Sequence, residues 1–403
     1  MNCWKKLFSL LVVLALICSF AATSFADGAE EADLQTVEAL LESREEGSLT
    51  RAAFEELLTE AGLDAENTDA YYTDTVALII DGEEISPAKL SYCTANQFLN
   101  FMNTYGQYAV YFGMDTSGGL NGLAEQSCPF MENGTWLDYF KEQGVAALQQ
   151  SIALGRVAAE EGIAISEEEA EANRQSFAGF DEVVRQYGYE NADEFIAGNY
   201  GLGNTSESLL DYLLEFALAG NVYEKYEEQF SGEITAEEIK ENYPSIDVRH
   251  ILVMAEQDEN GEFTDEAKEA SRARAEEILN EWLAGEATEE SFAALAEQYS
   301  EDPGSSSNGG LYTFVQPGQM VQEFNDFCFA EERQPGDSGI VYGTNGSYAG
   351  YHVMYFVGES DPEANVSARG ELAVQRTSQW LYSLTENMET TVLPFYKIAG
   401  HTL

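Results

Sequence analysis

Positive charge is scarce in this chain. Its 403 residues carry 19 Lys and Arg against 72 Asp and Glu, a net charge of −53. Such a field repels phosphate backbones and anionic surfaces, which argues against nucleic-acid binding. Most of the acid reads as the solvated face of helices. Histidine is scarcer still, with His250, His352 and His401 making up the whole complement of three. Cysteine is limited to five residues, of which Cys93, Cys128 and Cys328 lie beyond the N-terminal leader. Their odd number and irregular spacing allow one disulfide but not a disulfide framework, and they lack the paired spacing of a zinc site. They read as small buried hydrophobes.

Long apolar runs are also missing, save Leu7 to Phe20, which is too short and wrongly flanked for a stable membrane span. With Lys5 and Lys6 before it and Ser24-Phe25-Ala26 after it, residues 1–26 read as a secretory signal peptide cleaved before Asp27. Ile17 stands where a lipobox needs a small residue, which argues against lipid anchoring at Cys18. The chain is expected to be secreted or held at the extracytoplasmic surface, with no membrane span after processing. Loss of the leader removes two lysines and no acid, so the net charge moves from −53 to −55.

Hydrophobic content of 44% and aromatic content of 12% are those of a folded chain long enough for two or three cores. Residues 27–69 form an acidic amphipathic stretch, with Leu34, Val37, Leu40 and Leu41 and then Phe54, Leu57 and Leu58 at helical spacing; it reads as a helical arm or a partly disordered spacer. Residues 70–243 begin with Thr75 to Ile80, an Asp81-Gly82 hairpin turn and a return strand at Glu83 to Ile85. Ser86-Pro87 then opens a helix carrying Phe98, Phe101, Tyr105, Tyr108 and Phe112. That row is either a wall for unfolded chains or a core stripe, and its spacing favours the core. A helix over Trp136 to Glu161 is closed by Gly162, and Ser166 with Glu169 opens the next, predicted to run to about Gly188. A strongly apolar helix covers Leu209 to Phe230. Thr235 with Glu238 caps another, which Tyr243-Pro244 stops.

The densest stretch follows, within residues 246–359. It contains Val248-Arg-His-Ile-Leu-Val253, the helix Ser291 to Tyr299, the loop Ser300-Glu-Asp-Pro-Gly-Ser-Ser-Ser-Asn-Gly-Gly310, then Leu311 to Phe314, Gly318-Gln-Met-Val-Gln-Glu-Phe324 and Gly350-Tyr-His-Val-Met354. Taken in this order over about one hundred residues, these resemble the parvulin-type peptidyl-prolyl isomerases. With the leader and the flanking helices, the whole resembles secreted foldases of the PrsA and SurA type. The resemblance implies an α+β chain: a helical chaperone domain built from N- and C-terminal segments, and an inserted parvulin (FKBP-like) domain of antiparallel sheet and helices. Residues 362–403, with Leu372, Trp380, Leu381 and Leu384 on one helical face, would return to the chaperone domain.

Peptide-bond rotation faces a barrier of roughly 18–20 kcal/mol, and X–Pro bonds isomerise in tens to hundreds of seconds. Lowering that barrier needs an apolar slot and polar groups that prefer the twisted amide, with no cofactor or metal. By resemblance the slot is formed by Leu311, Met320 and Phe324, with Phe314 in support. Met320 and Phe324 stand four apart on one helical face. By the same resemblance His250, Asp302 and His352 would be the polar centre: both histidines fall at parvulin motif positions, in alternating strands that can lie side by side, and Asp302 stands where the family carries Cys or Asp. Asp302 would orient them rather than act as a nucleophile. Ser347 would occupy the place of a threonine common in the family, whereas Ala349 lacks a hydroxyl some members carry. Residues 258–264 and 342–349 look inserted. His401 matches nothing.

Met254 to Phe263 is acidic where phosphate-specific members carry basic residues, so the expected substrates are unphosphorylated X–Pro bonds of unfolded secreted polypeptides. Gly336-Asp-Ser-Gly339 resembles a serine-protease nucleophile motif, yet the histidine lacks the flanking residues of that family and the intervening span is too short for two barrels. Asp258 to Gly261 resembles the start of a calcium loop, with Ala267 where the twelfth-position Glu belongs. The sequence therefore predicts an isomerase and chaperone for exported proteins. The alternative is a catalytically weak holdase whose central domain only binds chains. Oligomeric state stays open, a dimer included.

Overall fold

The computed structural model describes residues 31–402 apart from 45–46 and 66–67. The signal peptide expected over residues 1–26, and Cys18 within it, lie outside the described residues. Seven strands occur among these residues: β1 (Leu78–Ile80), β2 (Glu83–Ile85), β3 (Ile246–Met254), β4 (Leu311–Val315), β5 (Ser338–Thr344), β6 (Ala349–Glu359) and β7 (Thr390–Val392). They form two sheets, ordered β2-β1-β7 and β4-β3-β6-β5. The described chain divides into two compact units, one running to Glu228 and resuming at Arg376, the other Gln229–Gln375. No helix among the described residues is long and apolar enough to cross a membrane.

In the first unit, Asp81 and Gly82 both adopt positive φ, +49° and +91°, as a type I′ hairpin requires. Ser86 Oγ accepts the Lys89 N–H at 3.2 Å and caps the helix Pro87–Tyr105. That helix stops at Tyr105, and a 3-10 turn over Gly106–Phe112 takes over. The aromatic row is thereby split. Phe98 and Phe101 pack on Phe140 at 5.5 and 5.6 Å, while Tyr105 and Tyr108 are about half exposed and Tyr111 is 86% exposed. The helix predicted to reach Gly188 is broken into Glu167–Ser176 and Phe180–Arg185, because Gly179 turns the chain at φ +80°.

Residues 31–73 are a packed layer rather than a spacer. Their helices Glu31–Ser43, Arg51–Glu60 and Thr68–Thr73 bury Val37, Leu41, Phe54, Leu57, Leu58, Tyr71 and Tyr72 in one core with Leu202, Phe395 and Ile398. The C-terminal segment reaches this unit through β7, which pairs antiparallel with β1. Lys141 is fully buried beside it, donating to the Tyr396 carbonyl at 2.8 Å and Ser48 Oγ at 3.0 Å. Burial pushes its ammonium down to about 7. Cys93, Cys128 and Cys328 are unpaired and buried.

The second unit is built on the four-stranded antiparallel sheet. Alternation along β3 and β6 divides their side chains between two cores. Ile251, Val253 and Val353 pack with Ala275, Ile278, Trp282 and Phe292 of the helices Asp265–Ala284 and Glu289–Tyr299. Val248, Met354 and Phe356 turn the other way, onto Phe324 and Phe327 of the helix Gln322–Cys328. His250 and His352 lie on this second face. Gly336 at φ +93° makes the turn into β5, and Ser338 pairs with Tyr355 as an ordinary strand residue.

Candidate active site

β3 and β6 pair with Leu252 opposite His352 and Met354 opposite His250. The histidines are thus diagonal neighbours on one face of the sheet. Their rings lie 24° from parallel with centroids 5.2 Å apart, and Nδ1 meets Nδ1 at 3.0 Å. Both are buried, at 3% and 4% exposure. Phe324 meets each ring in a T-shaped contact, with centroids 5.4 and 5.6 Å apart.

Two glycines make room for the pair. At Gly310, φ is +73° and a Cβ would come within 2.2 Å of the His250 carbonyl oxygen, so the loop can reach β3 only without a side chain. A Cβ at Gly343 would stand 2.6 Å from His352 Nε2.

The loop after Glu289–Tyr299 brings in the carboxylate. Ser300 Oγ accepts the Leu252 N–H at 3.1 Å, and the Glu301 N–H donates to the Leu252 carbonyl at 2.9 Å, which pins the loop to β3. One oxygen of Asp302 then accepts from His250 Nε2 at 3.0 Å, Ser305 Oγ at 2.5 Å and the Tyr312 hydroxyl at 3.0 Å. These donors, His250 foremost, hold the carboxyl well below the usual carboxylate range despite partial burial. Burial, with the neighbouring His250, pushes His352 down to about 3, so its ring stays neutral. Burial and the bond to Asp302 push Tyr312 up to about 12. On its far side, His352 Nε2 lies 3.1 Å from the Tyr348 hydroxyl.

This chain of groups lines a cavity of about 620 Å³. Leu252, Met320, Val321 and Phe324 supply an apolar wall, and Gln319, Asn345 and Tyr348 line it with polar groups. Glu301 and Asp302 are the charged side chains on its walls. The arrangement offers a slot for a small apolar ring beside two hydrogen-bonding imidazoles, of which His352 is neutral.

Of the residues singled out from the sequence, His250, Asp302, His352, Met320 and Phe324 come together here. Met320 precedes the helix Gln322–Cys328 rather than sharing it with Phe324. Leu311, Phe314 and Ser347 do not line the cavity. Strand alternation turns Leu311 away and brings Tyr312 inward instead, a one-residue offset that reverses the face. Phe314 is redirected by a bulge and lines a different cavity. Ser347 is exposed and bonds Asn345 Oδ1 at 2.7 Å in a turn that swings Tyr348 toward His352. Sequence reasoning missed Tyr312, Tyr348 and Ser305. An aromatic inside an otherwise small-residue loop was the available signal for Tyr348, and alternation along β4 was the signal for Tyr312.

Comparison with known proteins identifies the domain that holds these residues. Residues 234–355 match the family model described as a PPIC-type PPIase domain. The chain carries a parvulin domain. The chain is 33% identical over 156 residues to foldase protein PrsA 4 of Bacillus cereus, covering 38% of this chain and 47% of that one. It is 40% identical over 106 residues to the chaperone SurA of Alkalilimnicola ehrlichii, covering 26% and 21%. The solved PrsA peptidylprolyl isomerase of Bacillus cereus is 25% identical, with 64% of this chain and 88% of that chain covered and a TM-score of 0.24. The match spans about half the length of the PrsA relatives. Within the parvulin domain, His250 enters from β3, His352 from β6 and Asp302 from the loop between the helix Glu289–Tyr299 and β4.

Proposed function

We propose that the chain isomerises X–Pro peptide bonds in unfolded polypeptides and shields those chains while they fold. The observation that carries this reading is the buried His250–His352 pair, tied to Asp302, on the wall of an apolar cavity. A proline ring held against Met320, Phe324 and Leu252 would place its amide beside His352 and Tyr348. Twisting that amide breaks its conjugation and leaves the nitrogen a better hydrogen-bond acceptor. Groups already positioned by the fold favour the twisted form without reorganising. No nucleophile is required, and His352 remains available as a neutral donor or acceptor.

The charged cavity residues Glu301 and Asp302 make a phosphodianion before the proline unfavourable. The signal-peptide pattern read in residues 1–26 supports action on exported chains outside the cytoplasm. Shielding is supported by the first unit, where Tyr105, Tyr108, Val110, Tyr111 and Phe130 are exposed within 26 residues. Aromatic groups concentrated in this way offer contacts to apolar segments.

The test is isomerisation of a proline tetrapeptide by the full chain, followed by a protease that cleaves only the trans form. Rates above the uncatalysed reaction, and slower turnover when phosphoserine precedes proline, support the reading. Turnover no faster than the uncatalysed rate removes the isomerase claim and leaves the holding activity, which suppression of client aggregation measures separately.

A further inference from the structure

A second cavity, of about 470 Å³, lies in the same unit. Phe314, Gln316 and Pro317 form one side, Tyr243 another, and Asn365, Ser367 and Glu371 a third. Gln319 lines both this cavity and the one beside the histidines, so the two share a wall.

Phe314 reaches it through an unusual backbone. Its φ is +55°, a region bulky side chains rarely occupy. The pairing shows how this arises: Ile246 faces Val315 and Val248 faces Tyr312, so Thr313 and Phe314 together stand against Asp247. The Phe314 N–H donates to Asp247 Oδ1 at 3.1 Å, which also accepts from Ser360 Oγ at 2.5 Å. In a regular strand Phe314 would share the face of Tyr312. The bulge instead commits a strained phenylalanine to the second cavity, and strain of this kind concentrates at functional sites.

The walls suit an extended polypeptide. Phe314, Pro317 and Tyr243 offer apolar contact to a side chain, and the Gln316 amide and the amide N–H groups of Gln319, whose oxygen accepts the Gln316 N–H, can pair the backbone groups that an extended chain leaves free. Glu371 is the one charged residue on the wall, which favours a basic side chain opposite it. We propose that this cavity is a second subsite, binding the stretch that flanks the proline of the same polypeptide and accepting a lysine or arginine toward Glu371. The proposal rests on the isomerase reading above.

It is tested with the full chain and three peptides: a proline tetrapeptide, and two twelve-residue peptides that extend it with lysine-containing sequence on the N-terminal or the C-terminal side. Exchange NMR gives kcat/KM for each. At least one long peptide is expected to exceed the tetrapeptide by about tenfold, since remote contacts add to transition-state binding. That ratio is expected to fall to near one in both Phe314→Gly and Glu371→Lys. Glycine accepts the positive φ without strain, so a lost ratio with Tm retained marks a binding role and not a structural one. Long peptides within about twofold of the tetrapeptide in the unmutated chain, or a ratio unchanged in both variants, overturn the subsite. Should no peptide be turned over, the isomerase reading fails by itself. The subsite is then decided by fluorescence anisotropy of the labelled long peptides. Binding weakened by both variants supports it, and binding that is absent or unchanged overturns it.

Discussion

His250 and His352 meet through their Nδ1 atoms, 3.0 Å apart, so one proton serves both rings. The position of that proton sets the direction of the whole line. With His250 singly protonated on Nε2 toward Asp302, the shared proton belongs to His352 and the Tyr348 hydroxyl donates to His352 Nε2. With His250 doubly protonated, His250 donates instead and the His352 Nε2–H points at the Tyr348 oxygen. Asp302 and Tyr348 thus stand at the two ends of a single polar chain.

Replacing Asp302 by Asn removes the charge that orients His250. A hydrogen bond to a charged group is worth about 1.5–3 kcal/mol, or roughly 10- to 100-fold in rate. Tetrapeptide isomerisation by Asp302→Asn is expected to fall within that range, with the fold retained by circular dichroism.

Tyr348→Phe removes one neutral hydrogen bond and no apolar contact. A loss of roughly 2- to 10-fold in kcat is expected. Imidazole ¹⁵N shifts should report a changed tautomer balance at His352. Unaltered shifts would show that Tyr348 does not set it.

Acid should destabilise the parvulin domain through His352. Its folded value is depressed to about 3 from an ordinary 6.5, so the unfolded chain binds the proton first as pH falls. This contribution is intact above pH 6.5 and is lost progressively from there toward pH 3. Guanidinium midpoints should decline below pH 6.5 and decline less steeply in His352→Gln. His401, at about 4, acts in the same sense in the other unit.

Lys141 acts at the opposite end of the scale. Its folded value of about 7, against 10.5 ordinarily, means that the unfolded state binds more protons between those limits. Stability of the first unit should therefore climb as pH rises from 7 to 9, and stay flat in Lys141→Met. Above pH 9 the buried thiol of Cys93, held at about 12, works in the reverse direction.

Much of this was legible in the chain itself, because local chemistry dictates it. Asp81-Gly82 demands positive φ at both positions, Ser86-Pro87 starts a helix, and alternation around His250 and His352 marks strands with one buried face. Those same strands put both histidines on the sheet, while the choice of Asp302 over Glu301 in the loop after Tyr299 came from the resemblance to parvulins. Other features depended on contacts between distant segments. Leu311 and Tyr312 are adjacent in sequence, and only the registration of β4 on β3 decides which faces the cavity. Phe314 is diverted by a bulge opposite Asp247, and Ser347 gives way to Tyr348 because a turn at Asn345 closes. Residues 31–73 became a layer, not a spacer, once Phe395 and Ile398 arrived to cover them. Periodicity specifies which face of an element is apolar; which residue fills a given space is decided by register, bulges and the partner packed across it.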